Sequence, residues 1–196
     1  MSLLELIARA DERGLAASAV ACLDRCLPPQ EDGGDPEPLR PLWAGCESGA
    51  EWAARLDAAH AALDGVADRD ATARVRALLA AAPRDFADGP LRTWADACSL
   101  LALDIHREWD FPAGDAARTA EVCRADGAVG DGPLVTGELR RQTAILESLA
   151  GTAATPGGAT GLRRALDLSA EGRRVLRAVM SRRARGRERP GGVTLT

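Results

Sequence analysis

The segment Leu91–Trp109 constrains this chain more than any other. Leu91, Trp94, Ala95, Cys98, Leu101, Ala102, Ile105 and Trp109 recur at three- and four-residue intervals. On a helix of 3.6 residues per turn they fall within about 120° of circumference. Leu100 and Leu103 lie roughly on the other side. A helix with apolar residues on two sides must be covered on more than one face, so this segment reads as the central helix of a bundle. Pro90 suits its first turn, and Pro112 ends the run.

The rest of the chain repeats the helical signal. Ser2 with Glu5 forms a capping box and Gly14 is a stop, which predicts a helix over Leu3–Arg13. A second helix is expected over Leu15–Leu27, with Ala19, Cys22, Leu23 and Cys26 on one face and Pro28 and Pro29 at its end. The pair reads as a helical hairpin. Ser48 with Glu51 suggests another capping box, ahead of Trp52, Leu56, Ala59 and Leu63 at helical spacing. Asp70 can cap a short helix carrying Val75, Leu78 and Leu79. Further helices are predicted over 114–125 and Leu134–Leu149. A short piece at 162–167 and a helix capped at Ser169 complete the set. No β-alternation and no fixed repeat period appears. The fold class is all-α: an irregular bundle of seven or eight helices in a single domain over 1–184. An acidic Pro/Gly-rich loop at 28–41 and a flexible linker at 152–161 interrupt it, and a flexible Arg-rich tail occupies 185–196.

Composition removes much chemistry. All twenty-five basic residues other than histidine are Arg, and Asn and Tyr are absent along with Lys. That is the pattern of a GC-rich bacterial coding sequence, so part of the arginine content is codon bias. Without Lys there is no Walker-type phosphate loop, Schiff base or Ser–Lys pair. Without Asn there is no glycosylation acceptor and no Cys-His-Asn triad. The five cysteines form no CxxC pair and read as small core residues of a reducing compartment. The N-terminus carries acids and no sustained apolar run, unlike a signal peptide. No stretch approaches the about 20 apolar residues of a membrane span. A cytoplasmic protein is expected, with no cofactor and no metal.

Charge is divided along the chain. Residues 160–196 hold ten arginines against three acids, and residues 1–159 hold fifteen against twenty-six. On the C-terminal helix Val175, Leu176, Val179 and Met180 share one face, and Arg173, Arg174 and Arg177 the other. Arg182 and Arg185 widen the basic side, and Arg183 turns toward the apolar one. The helix is expected to pack through Met180 and then fray. Arg173, Arg174, Arg177, Arg182, Arg183, Arg185, Arg187 and Arg189 are therefore the candidate partner-binding residues, for an acidic protein surface, self-association or nucleic acid. The segment has no aromatic to stack on bases and none to anchor in lipid, which favours a protein partner. The acidic body covering its own basic helix is a further possibility.

An enzymatic or small-molecule-binding alternative uses Asp57, His60, His106 and Asp110. Each histidine would be oriented by a carboxylate in a cavity lined by tryptophan. The Glu-x-x-His pairs of di-iron bundles are missing, however, and histidines hydrogen-bonded at the core boundary are the simpler expectation. The loop Gly127–Gly132 has neither the spacing nor the charge of a phosphate cradle. The foremost expectation is a non-catalytic protein that acts through contacts.

Overall fold

The computed structural model describes residues 1–28, 37–47, 49–66, 70–110, 119–127, 131–151 and 159–187. Within them the chain is all-α. It forms α1 (Leu3–Arg9), α2 (Glu12–Cys26), α3 (Arg40–Gly45), α4 (Trp52–Asp64), α5 (Asp70–Ala80), α6 (Asp88–Asp110), α7 (Ala120–Ala125), α8 (Pro133–Ala150) and α9 (Ala159–Arg187). No helix among the described residues is long and apolar enough to cross a membrane.

α2 lies at the centre of the bundle. Every residue from Gly14 to Cys26 is buried. α6, α9, α8 and α5 pack around it, with α3 beside its C-terminal end. Ala16, Ala17, Ala19 and Ala21 are fully enclosed, and such short side chains let neighbouring axes approach closely. α6 is the second axis, with Ser99, Leu103 and His106 buried as well as its main stripe. The expectation that α6 is covered on more than one face holds. α6 packs on α1, α2, α5, α7, α8 and α9, so it shares the central place with α2, which is the more completely buried of the two. A helix enclosed on every side has no clear polar face, so α2 shows weaker amphipathic contrast although it is buried more deeply.

Several boundaries differ from the sequence expectation for local reasons. The Ser2–Glu5 capping box forms, with bonds of 2.9 and 3.2 Å. The first helix nevertheless stops at Ala10, because Asp11 caps the next one by accepting from the Gly14 amide at 2.8 Å. Gly14 is thus the third residue of α2 and not a stop. α1 packs on α8, α6 and α7, so the predicted hairpin with α2 is absent. Glu51 is itself the N-cap position of α4, without a side-chain cap bond, and reaches Arg55 at 2.5 Å. Ser48 lies outside the described residues. Arg40 and Pro41 open α3 inside the stretch read as a loop, of which 29–36 lie outside the described residues, as do 114–118 ahead of α7.

The largest difference is α9. The piece at 162–167 and the helix from Ser169 are one 29-residue helix, roughly 43 Å long. Ser169 is no cap. It is buried in mid-helix and donates to Asp24 at 3.0 Å. The helix begins at Ala159, inside the predicted linker, and continues to Arg187, past the expected fraying point; 152–158 and 188–196 lie outside the described residues.

Tryptophans hold the flank formed by α4 to α6. Trp52 meets Phe86 and Trp94 edge-on, with ring centroids 5.5 and 5.8 Å away. Each indole N–H is satisfied, Trp52 by the Pro83 carbonyl and Trp94 by that of Leu78. This is core packing with no space for a ligand between the rings.

Candidate functional site

α9 has two sides. Gly161, Ala165, Ser169, Gly172 and Leu176 are buried at helical spacing against α8 and α2. On the opposite side Arg163, Arg164, Asp167, Glu171, Arg174, Ala178, Arg182 and Arg185 are exposed, all within about 100° of circumference. Leu176 is the last fully buried side chain among the described residues of α9, Val179 and Met180 are partly buried against the core, and the helix runs on for about three turns beyond Leu176.

The basic residues predicted as one surface divide between these sides. Arg173 is used internally: it donates to Asp24 at 2.7 Å and to Glu37 at 3.2 Å. Arg177 donates to the Pro28 carbonyl at 3.4 Å. Burial, then the neighbouring Arg173 charge, lower its pKa. Arg183 lies over the Trp109 ring, 5.6 Å from the centroid, a cation–π contact. These three arginines are thus turned inward, but only Arg173 meets carboxylates of the acidic body. Arg174, Arg182 and Arg185 face outward, and none of the ion pairs among the described residues includes them. The side chains of Arg187 and Arg189 lie outside the described residues.

The alternative four-residue site is dispersed among other partners. Asp57 on α4 is exposed and pairs with Arg84 through two bonds of 2.8 and 3.0 Å. That hydrogen-bonded guanidinium holds its pKa below the usual carboxylate range. His60 is half-buried one turn further along α4. Asp110 serves α8: its carboxylate accepts from the amides of Leu134 and Val135 at 2.9 and 2.7 Å. It neutralises the positive end of that helix from a distance. Gly132 is needed at this point, because a Cβ there would collide with the Asp110 carboxylate. No group of three or more His, Cys, Asp or Glu side chains among the described residues could hold a metal ion.

His106 is no boundary histidine. It is 1% exposed and belongs to a buried polar network absent from the sequence reading. Arg25 on α2 and Glu138 on α8 are fully enclosed and pair side-on, with Nε–Oε2 at 2.8 Å and Nη2–Oε1 at 2.5 Å. Gln142 donates to Glu138 at 2.9 Å and accepts from the Ser99 hydroxyl at 2.6 Å. His106 bonds the Ala102 carbonyl through Nδ1 at 2.7 Å, which makes Nδ1 the protonated nitrogen, and its Nε2 stands 3.5 Å from Glu138. Three helices thus meet in the core around one ion pair and the hydrogen bonds that surround it. The available clue was Asp24-Arg25 within the apolar run from Ala19 to Leu27. A charged pair there must be matched from another helix or face solvent.

Electrostatics follow from this enclosure. Burial opposes the ionised Glu138, but Arg25 and His106 outweigh it and lower its pKa to about 2. Burial lowers the pKa of His106, against the pull of Glu138. Burial raises Asp24, with Arg173 and Ser169 opposing. All five cysteines are buried free thiols, and burial pushes Cys22 up to about 12. No reactive thiolate is presented.

These shifts predict acid lability. Unfolded His106 takes up a proton near 6.5 and the buried ring only at lower pH, so stability falls as pH drops through that window. Glu138 protonates near 4.5 when unfolded and near 2 when folded, which adds a second loss over that interval. Asp24 acts in the opposite sense below its raised pKa. Urea midpoints measured across pH should decline from neutral to acid. His106→Gln should remove the decline between about pH 7 and 5. An unchanged profile in that variant would exclude His106 as its source.

No known family model matches the chain, and neither curated proteins nor solved structures show significant similarity to it.

Proposed function

We propose that the protein works by contact, and that Arg174, Arg182 and Arg185 on the outward face of α9 dock an acidic segment of a partner protein. One observation carries this reading: α9 stays helical for about three turns past its last fully buried residue, Leu176, while presenting arginines to solvent. Val179 and Met180 still pack on the core and Arg183 lies over Trp109, but Arg182 and Arg185 on the same turns face solvent.

Charge balance favours an acidic peptide over nucleic acid. The chain as a whole is acidic, with a net charge of −4, so a long polyanion is repelled by the body as it nears the helix. A short acidic segment can reach the arginines alone. On the same face Asp167 and Glu171 separate these arginines from Arg163 and Arg164.

The test compares a fluorescent oligo-glutamate peptide with a fluorescent DNA duplex of equal charge, by anisotropy at low and high salt. The peptide should bind and weaken with salt. Arg174→Glu, Arg182→Glu and Arg185→Glu combined should reduce its affinity about tenfold or more. Thermal unfolding should scarcely change, because the three sites are exposed. Failure of the wild-type protein to bind the peptide, or preference for the duplex, would refute the reading.

A further inference from the structure

The outward face of α9 carries both signs of charge, and the chain itself uses neither. Asp167 and Glu171 are exposed there together with Arg174, Arg182 and Arg185. No hydrogen bond or ion pair among the described residues includes either acid. This holds although Arg163 stands one turn before Asp167 and Arg174 one turn after Glu171, spacings at which helical ion pairs form.

The positions of these charges fit a second copy of the same helix running the other way. Asp167 and Arg185 stand nine residues either side of Leu176, and Glu171 and Arg182 five and six. A twofold axis level with Leu176 sets Asp167 opposite Arg185 of the second copy and Glu171 opposite its Arg182, and symmetry repeats both pairs. The four positions lie within about 60° of circumference, so they form one seam. Near the axis Arg174 comes level with Ala178 of the second copy, whose short side chain leaves room for the arginine stem. Val175, 36% exposed, adds apolar surface beside the seam. The seam is about 27 Å long, and helices crossing at about 20° stay within reach of an arginine side chain over that length. Arg163 and Arg164 pass the described end of the opposing helix and face no arginine within it. A parallel pair would instead set Asp167 on Asp167 and Arg182 on Arg182.

We infer that the protein self-associates by pairing α9 antiparallel with α9 of a second copy, through Asp167 with Arg185 and Glu171 with Arg182. The inference rests on the contact reading above and names the acidic segment that the arginines meet. α9 buries its other side against α2 and α8, so the two acidic bodies lie on opposite sides of the paired helices and their repulsion is reduced by distance. Exposed ion pairs are individually weak. Four of them with a small apolar contact give a weak dimer, with a dissociation constant of about 100 µM that rises with salt.

Sedimentation equilibrium of the full chain at low and high salt, from about tenfold below to about fivefold above that constant, tests the inference. The wild type should dimerise at low salt and dissociate at high salt. Arg182→Glu with Arg185→Glu should weaken the dimer about tenfold or more, and so should Asp167→Arg with Glu171→Arg. An equimolar mixture of these two double variants regains all four pairs and should associate at least as tightly as the wild type. The positions are exposed, so thermal unfolding should scarcely change. The acid-reversed variant keeps Arg174, Arg182 and Arg185 and should still bind the oligo-glutamate peptide, which separates this inference from the reading it rests on. A monomeric wild type that binds the peptide overturns the inference alone, and one that does not overturns both. A dimer that survives either reversal, or a mixture that stays monomeric, also overturns it.

Discussion

Replacing Glu138 with Gln should destabilise the protein by about 3–5 kcal/mol, a large share of the about 5–15 kcal/mol that holds a typical domain together. The cause is Arg25, not Glu138. Both side chains are 0% exposed, and a guanidinium does not escape by deprotonation. In the wild type, burial works against the Arg25 charge, and Glu138 more than restores it. In Glu138→Gln the cation stays enclosed with a neutral neighbour. Gln142, which donates to Glu138, also faces an amide in place of a carboxylate. The paired replacement Arg25→Met with Glu138→Leu removes both charges and should recover most of the loss, since apolar side chains of similar volume often replace buried ion pairs without penalty. Urea denaturation of the single and double variants reads the difference directly. A single-variant cost below about 1 kcal/mol would mean that the pair is solvated in solution and not enclosed.

Gly172→Ala carries the second large effect, and two principles disagree about its sign. Glycine inside a helix costs about 1 kcal/mol relative to alanine, so propensity alone predicts stabilisation of α9. Packing predicts the reverse. A Cβ at Gly172 would collide with Cδ of Arg25 and lie 2.8 Å from Cδ of Arg141. The Arg25 methylene cannot swing aside cheaply, because its head group is fixed to Glu138 by two bonds. Overpacking costs about 1–3 kcal/mol, and a loosened buried pair adds to it. Clear net destabilisation is expected, lessened when Arg25→Met is present. Thermal unfolding of the single and combined variants decides the matter, and a stabilised Gly172→Ala would show that α9 does not press on the network.

Much of the fold was legible because surface-facing helices advertise themselves. The stripe from Leu91 to Trp109 predicted α6, and the Ser2–Glu5 box placed the start of α1. Gly14 misled because a glycine near a helix start and one past a helix end look alike without the cap that distinguishes them, here Asp11. Ser169 misled in the same way: a serine before an amphipathic run resembles a cap, but this hydroxyl is buried against Asp24. α2 was under-read because enclosure on all sides erases the contrast that periodicity measures. The outward arginines of α9 could be assigned from the wheel, whereas the internal roles of Arg173, Arg177 and Arg183 depend on residues up to 149 positions away. Arg25 and Glu138 are 113 positions apart, and no local pattern announces such a partnership.

The enclosure of α2 has a consequence for how the chain is made. α2 leaves the ribosome early, but α6, α8 and α9, which cover it, follow much later. Until Glu138 is synthesised, Arg25 has no counter-charge, and until Arg173 is synthesised, Asp24 lacks its clamp. The nascent chain therefore carries a small-residue apolar helix with no finished site to occupy until the helices that cover it have been made. Such long-range pairing slows folding and leaves apolar surface open in the interval, so the period of greatest exposure to aggregation falls before the last helix is in place.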